Sequence, residues 1–93
     1  MQENIPERIT TIIIDLLRVE KEEVITTAKL AEDLGADSLD AVEIITACEK
    51  EFHINLYKIS NTAAKLLTVG ELINIVNENC NGKVWLSKLL IIL

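Results

Sequence analysis

The sequence predicts an all-α domain: a small four-helix bundle with three long helices, one short helix and a long loop between the first two helices. A chain of 93 residues is long enough to bury one modest core, and a second domain does not fit. Its residues are 49% hydrophobic but only 3% aromatic, so the core is expected to consist of Ile, Leu, Val and Ala, which suits closely packed helices. Apolar residues also recur at helical spacing in three separate segments.

The first helix is expected to begin after Asn4, which has Pro6 in the first turn and Glu7 three residues on, and to run to about Arg18. Its apolar stripe consists of Ile5, Ile9, Ile12, Ile13 and Leu16. Residues 19–36 show no sustained period, which predicts a long loop. The residues expected to anchor this loop to the core are Val24, Leu30 and Leu34.

The second helix is predicted from Ser38 to about Phe52, with one apolar and one charged side. The apolar side consists of Ala41, Val42, Ile44, Ile45, Cys48 and Phe52. The opposite side carries Asp40, Glu43, Ala47, Lys50 and Glu51, with Glu49 at its edge. The ordinary interpretation of these charges is a solvated helix face, and the alternative is a surface that binds basic partners.

The residues after the second helix predict two further helices. His53 is expected to be solvated or to cap the second helix rather than to act as a catalytic base, and Leu56 is expected to return to the core. A short third helix is predicted within residues 59–65, capped by Ser60 or Asn61. A capping box of Thr68 and Glu71 predicts the start of a fourth helix, which is expected to bury Val69, Leu72, Ile73 and Val76 and to end at Asn81-Gly82.

Residues 83–93 form an apolar extension that follows the predicted bundle of residues 1–82. Apart from Lys83, Ser87 and Lys88 they are Val, Trp, Leu and Ile. Eleven residues cannot span a bilayer. We expect an extra helix or arm that packs on the bundle; the alternative is an exposed segment that docks a partner, self-associates or lies on a membrane surface.

Composition narrows the function classes. Fifteen acidic and nine basic residues give a formal net charge of −6, which repels nucleic acid and favours basic protein partners. Neither a signal peptide nor a membrane span is indicated, so a cytoplasmic location is expected. Cys48 and Cys80 are too few and too far apart for a zinc site or a disulfide scaffold and are expected to be reduced thiols. Because no catalytic set or metal-ligand spacing is present, we expect a non-catalytic protein. We also expect a monomer.

The most informative motif is residues 33–40, Asp-Leu-Gly-Ala-Asp-Ser-Leu-Asp, in which a glycine-containing loop delivers Ser38 to the first turn of the second helix. Free N–H groups and the positive end of the helix dipole would favour a phosphate attached to that hydroxyl. The alternative is that Ser38 or Asp37 merely caps the helix, with Asp40 completing a capping box. Taken alone, the serine favours the cap.

The whole motif resembles the acyl carrier protein family, in which an Asp-Ser-Leu triplet at the head of the second helix carries 4′-phosphopantetheine on the serine. Here the triplet is Asp37-Ser38-Leu39, and residues 33–36 and 40–45 are both close to the family pattern. Phe52 and the Thr68-Val69 pair also fall near their family positions, so the resemblance covers about residues 5–80. The chain departs from the family at Lys50, where an acid is common, and by about two extra residues before Val69.

The resemblance implies that a phosphopantetheinyl transferase attaches 4′-phosphopantetheine from coenzyme A to Ser38. It implies a surface that binds basic acyl-transfer or fatty acid synthesis enzymes, with the matching positions Asp37, Leu39, Asp40, Glu43, Glu49 and Glu51. The apolar side of the second helix is then expected to open an acyl pocket lined by Val42, Ile45, Cys48, Phe52, Leu56 and Leu72. An acyl carrier for fatty acid or related synthesis is therefore expected; the alternatives are a carrier of an aminoacyl or polyketide unit and an unmodified helical interaction module.

Overall fold

A computed structural model of the chain describes the backbone of residues 4–56, 59 and 61–92, and the side chains of residues 4–56, 59 and 63–80. It contains the helices α1 (Ile5–Leu17), α2 (Ser38–Phe52), α3 (Asn61–Lys65) and α4 (Val69–Ile92), with a short 3₁₀ helix at Lys21–Glu23. Within these residues no β-strand occurs, and one isolated antiparallel bridge joins Lys29 to Thr68. The predicted all-α architecture, three long helices and one short helix with a long loop between α1 and α2, is confirmed.

Helix α1 begins and ends close to the predicted positions. The Asn4 side chain accepts the Glu7 N–H at 3.2 Å, which caps the first turn. At the other end Arg18 adopts a left-handed conformation (φ 59°), and its N–H donates to the Ile14 carbonyl at 2.8 Å. The predicted apolar stripe faces the core: Ile9 and Ile13 are fully buried, and Ile5, Ile12 and Leu16 are partly buried against them.

Four backbone hydrogen bonds fix the long loop to the segment that runs from the end of α3 to the start of α4. The N–H groups of Leu30 and Ala31 donate to the carbonyls of Leu67 and Lys65 at 3.0 and 3.2 Å. In return the N–H groups of Val69 and Gly70 donate to the carbonyls of Ala28 and Thr26, at 2.8 and 2.9 Å. The predicted anchors Leu30 and Leu34 are buried and Val24 is partly buried. These contacts hold the loop in one path across the bundle.

Helix α2 packs against α1, α3 and α4 and supplies much of the core. Its apolar side is the predicted one: Ala41, Ile44, Cys48 and Phe52 are buried, and Val42 and Ile45 are half-buried. The helix ends at His53, which is left-handed (φ 56°) and exposed, and whose N–H donates to the Glu49 carbonyl. The interpretation of His53 as a solvated C-terminal cap is confirmed, and Leu56 returns to the core as predicted.

Helix α4, which follows the short helix α3, begins with the predicted capping box. The Glu71 N–H donates to Thr68 Oγ1 at 3.1 Å, and the Thr68 N–H donates to Glu71 Oε1 at 2.9 Å. Val69, Leu72 and Val76 are buried and Ile73 is half-buried, which confirms the predicted face of α4. The short third helix is also present, although its predicted caps, Ser60 and the side chain of Asn61, lie outside the described residues.

The predicted end of the fourth helix at Asn81-Gly82 is wrong, because α4 continues without interruption to Ile92. A glycine inside a helix costs only about 1 kcal/mol relative to alanine, and it ends a helix where the chain turns left-handed. Here an established helix is followed by Leu and Lys residues that favour helix, so propagation continues. Residues 83–92 therefore prolong α4 instead of forming a separate helix. Their packing depends on side chains outside the described residues and stays a prediction.

Candidate functional site

The loop before α2 is shaped by a short set of local contacts. Asp33 Oδ2 accepts the Lys29 N–H at 2.7 Å, and the Ala36 N–H donates to the Leu30 carbonyl at 2.8 Å. Gly35 is left-handed (φ 77°), a conformation that other residues rarely adopt. Because Leu34 and Ala36 on either side of Gly35 are buried, the entry into α2 is held at a defined position.

Helix α2 is capped by Asp37, not by Ser38. Asp37 Oδ1 accepts the Asp40 N–H at 2.8 Å, and Asp40 Oδ2 accepts the Asp37 N–H at 3.1 Å, which completes a capping box. Ser38 is therefore the first helical residue, and its side chain is exposed. Among the described residues its hydroxyl takes part in no hydrogen bond. Of the two residues proposed as the cap, Asp37 therefore has this role, and the Ser38 hydroxyl does not.

The start of α2 suits a phosphoester on that hydroxyl. Within the part of the chain that the structure describes, the N–H groups of Ser38 and Leu39 have no acceptor, since Asp37 takes only the Asp40 N–H. These donors lie at the positive end of the helix dipole, where a phosphate is favoured. Ser38 as the attachment point, with the free N–H groups of Ser38 and Leu39 beside it, thus fits a phosphate-linked prosthetic group.

The predicted partner-binding carboxylates differ in the hydrogen bonds and ion pairs that they make within the chain. Asp37 and Asp40 are engaged in the capping box. The half-buried Glu49 accepts the Leu56 N–H at 2.8 Å. Glu51 accepts from Arg8 Nε at 2.8 Å. Glu43 alone among these five carboxylates makes no ion pair or hydrogen bond within the described chain.

Arg8 links α1 to the end of α2. Its guanidinium forms an ion pair with Glu51, and its Cζ lies 4.8 Å from the centre of the Phe52 ring. The ion pair is partly solvated, so its contribution to stability is modest, and the contact with the ring adds to it. Glu51 thus has a structural role, which sequence reasoning missed because Arg8 and Glu51 are 43 positions apart.

Most of the predicted acyl-pocket residues are buried in the core. Cys48, Phe52, Leu56 and Leu72 are buried, while Val42 and Ile45 are half-buried. A groove of about 320 Å³ lies where α1 meets α2, and it is lined by Leu16, Val42, Glu43, Thr46, Ala47 and Lys50. Val42 is the one predicted pocket residue that reaches this groove. Its α1 wall at Leu16 could not be located from sequence, because it depends on how the two helices cross.

Among the described residues, one thiol has a shifted pKa and no metal site is formed. Burial, followed by the negative charges of Glu49 and Glu51, raises the pKa of the Cys48 thiol to about 12. This thiol is therefore protonated near neutral pH and is a poor nucleophile. Cys48 and Cys80 form no disulfide, and no group of side chains within the described residues could hold a metal ion. Nor is any helix of the described chain long and apolar enough to cross a membrane.

A comparison with known families agrees with this geometry. The family described as "Phosphopantetheine attachment site" matches residues 7–76, about three quarters of the chain. This family implies a 4′-phosphopantetheine prosthetic group and a carrier that meets transferases and biosynthetic enzymes; its domains are generally non-catalytic. The matched region includes the capped start of α2 and its exposed serine. The chain belongs to the phosphopantetheine attachment site family and is a phosphopantetheine-bearing carrier protein.

Proposed function

We propose that Ser38 is the residue that carries 4′-phosphopantetheine. The observation that supports this most directly is the exposed Ser38 hydroxyl at the first position of α2, which Asp37 leaves free by taking the capping role. Asp37 and Asp40 hold the first turn in place, so the hydroxyl is presented at a fixed point on the surface. The free N–H groups of Ser38 and Leu39 are the donors available to a phosphate there.

The cargo that we propose is an acyl chain of fatty acid or related synthesis. When bound, 4′-phosphopantetheine supplies a thiol that holds acyl units as thioesters. The chain's own contribution is a core of aliphatic side chains, against which the half-buried Ile45 of α2 packs. The half-buried Val42 lies on the same helix and lines the groove beside α1. Apolar burial stabilises an alkyl chain by about 0.8 kcal/mol per CH₂, less the cost of opening the core. Four of the predicted pocket residues are buried in the core, where an alkyl chain would be shielded from water: Cys48, Phe52, Leu56 and Leu72.

The partners that we propose are a phosphopantetheinyl transferase and acyl-transfer or synthesis enzymes with basic surfaces. The net charge of −6 supports this, and so do the exposed side chains of Leu39 and Glu43 in the first two turns of α2. Asp37, Asp40, Glu49 and Glu51 accept hydrogen bonds within the chain, and as acidic residues of the same surface they add to the attraction for a basic partner. We assign catalysis to the partners and propose a monomeric carrier. A cytoplasmic location accords with two cysteines that form no disulfide.

Intact mass tests the attachment site. The purified chain is incubated with a phosphopantetheinyl transferase and coenzyme A, and wild type should gain the mass of one phosphopantetheine. Ser38→Ala should gain nothing. Thr27→Ala, which removes an exposed hydroxyl outside α2, should be loaded like wild type. A wild-type chain that gains no mass, or a gain that persists in Ser38→Ala, would overturn the proposal.

The same experiment separates the other candidate functions. An unmodified helical interaction module predicts no gain in wild type. A carrier of aminoacyl or polyketide units predicts loading at Ser38 followed by transfer of those units, not of fatty acyl groups, by the matching enzymes. Mass analysis after offering the loaded chain each class of acyl donor distinguishes these cases.

For residues 83–93 we retain the proposal that the extension packs on the bundle. Removing it should then lower the midpoint of urea unfolding while leaving Ser38 loading intact. A truncated chain with unchanged stability that loses binding to vesicles or to a partner would refute packing and favour an exposed docking segment.

A further inference from the structure

Two exposed, oppositely charged residues of α2 have no charged or hydrogen-bonding partner within the described chain. Glu43 and Lys50 are exposed, and neither makes an ion pair or hydrogen bond within the described residues. The carboxylates next to Lys50 in sequence are occupied elsewhere, Glu49 by the Leu56 N–H and Glu51 by Arg8. No acidic residue stands three or four positions before or after Lys50, where a helical ion pair would form. Its positive charge is therefore available to a partner.

These two charges mark the ends of the groove between α1 and α2. Glu43 and Lys50 are seven positions apart, which is two helical turns or about 10 Å along the same face of α2. Thr46 and Ala47 lie between them on the helix, and the half-buried side chains of Leu16 and Val42 complete the lining of this groove of about 320 Å³. The groove thus presents a carboxylate at one end, an apolar centre and an ammonium group at the other.

We propose that this groove binds an amphipathic helix of a partner protein that presents a basic residue, an apolar side chain and an acidic residue in succession over two turns. The inference rests on the proposed carrier function only in that the occupant is a protein that a carrier meets. Its basic residue faces Glu43, its apolar side chain lies over Thr46 and Ala47, and its acidic residue faces Lys50. A helix with basic residues at both ends is disfavoured, because it places like charges together at Lys50.

Designed peptides test this preference without knowledge of the natural partner. Alanine-rich helical peptides carry a central Leu pair flanked one turn away on each side by either Arg and Glu, in both orders, or by two Arg residues. A third type replaces the Leu pair by Ala. Binding to the full chain is followed by NMR shifts of the Leu16, Val42 and Ala47 amides.

The better of the two bipolar peptides should bind wild type about two- to fivefold more tightly than the doubly basic peptide, which is the range for exposed ion pairs. Lys50→Glu should reverse this order. Lys21→Glu makes the same change in net charge at an exposed position outside the groove and should leave the order unchanged. The peptide without Leu should bind more weakly.

Three results would overturn the proposal: equal or tighter binding of the doubly basic peptide to wild type, shifts that avoid the groove, or no dependence on the Leu pair. Absence of binding by every peptide also counts against it. None of these outcomes bears on the attachment of phosphopantetheine, because intact mass of the Ser38 variants decides that question separately.

Discussion

Helices α2 and α4 start with the same device but present different surfaces. Each begins with a reciprocal capping box, Asp37 with Asp40 in α2 and Thr68 with Glu71 in α4. The first helical residue is an exposed serine in α2, whereas in α4 it is Val69, which is 1% exposed. The box fixes where a helix begins, and the surroundings of the next residue decide whether that start is a surface site or part of the core.

The loop between α1 and α2 accounts for the difference. It crosses the start of α4, where the carbonyls of Ala28 and Thr26 accept the N–H groups of Val69 and Gly70. The equivalent N–H groups in α2, those of Ser38 and Leu39, meet no acceptor within the described chain. A helix N-terminus is thus available to a phosphate only where the fold leaves its donors unused.

Substituting serine for valine at the first position of α4, and valine for serine at the first position of α2, should give the largest difference in stability. Val69→Ser removes apolar contacts and buries a hydroxyl, so we expect a loss of about 2–4 kcal/mol in the free energy of unfolding. Ser38→Val changes an exposed position, and we expect a change within about 0.5 kcal/mol. Urea unfolding measures both. Equal losses would show that the two helix starts are not buried as differently as the structure indicates.

The second residues of the two helices give the next contrast. A Cβ at Gly70 would lie 3.0 Å from the Thr26 carbonyl oxygen and 3.3 Å from Thr26 Cβ. Gly70→Ala should therefore destabilise the chain by about 1–2 kcal/mol, because the strain outweighs the better helix propensity of alanine. In α2 the corresponding Leu39 is 66% exposed, and Leu39→Ala should change stability by less than about 0.5 kcal/mol.

Amide hydrogen exchange shows whether the Gly70→Ala substitution weakens the contact between the loop and α4. In Gly70→Ala the amide of residue 70 should exchange faster than in wild type, because its bond to Thr26 is the one that the new Cβ strains. A variant with unchanged stability and unchanged exchange would mean that the loop does not approach α4 this closely.

The two caps themselves should have similar, smaller effects. Asp37→Ala and Thr68→Ala each remove the side-chain acceptor of a first-turn N–H and should cost about 1 kcal/mol. Asp37→Asn and Thr68→Ser keep an oxygen at the same position and should retain most of the stability. Thermal or urea unfolding compares the four variants. A large loss at one helix and none at the other would contradict the equivalence of the two boxes.

Features that depend on neighbouring residues could be predicted from the sequence. Both capping boxes link residues three positions apart, and the stripe through Ile9 and Ile13 follows from helical periodicity. Ser38 at the first position of α2 was predicted for the same reason. In these cases short-range geometry alone determines the contact.

Features that depend on how the elements pack could not. The pairing of Glu51 with Arg8, the bond from the Leu56 N–H to Glu49 and the approach of Thr26 to Gly70 all join segments whose relative positions are set by the core. The glycine at position 70 was the one local signal of a close approach. At Gly82 a local signal was misleading, because helix propagation outweighed the weak preference of glycine for a stop.

The smallest expected effect concerns how the exposed start of α2 meets its partners. Glu43 is the carboxylate of α2 without a partner within the described chain, so Glu43→Lys should slow loading of Ser38 by a basic transferase. The reduction should be a fewfold at most, since an exposed ion pair contributes about 0.2–1 kcal/mol. It should also shrink as salt is raised, because the screening length falls from about 10 Å at 0.1 M to about 3 Å at 1 M. Glu78→Lys makes the same charge reversal at an exposed position on α4 and separates a local effect from the change in net charge. Equal slowing by both variants, or slowing that does not depend on salt, would mean that the start of α2 attracts its partners only through the overall charge of the domain, or not electrostatically at all.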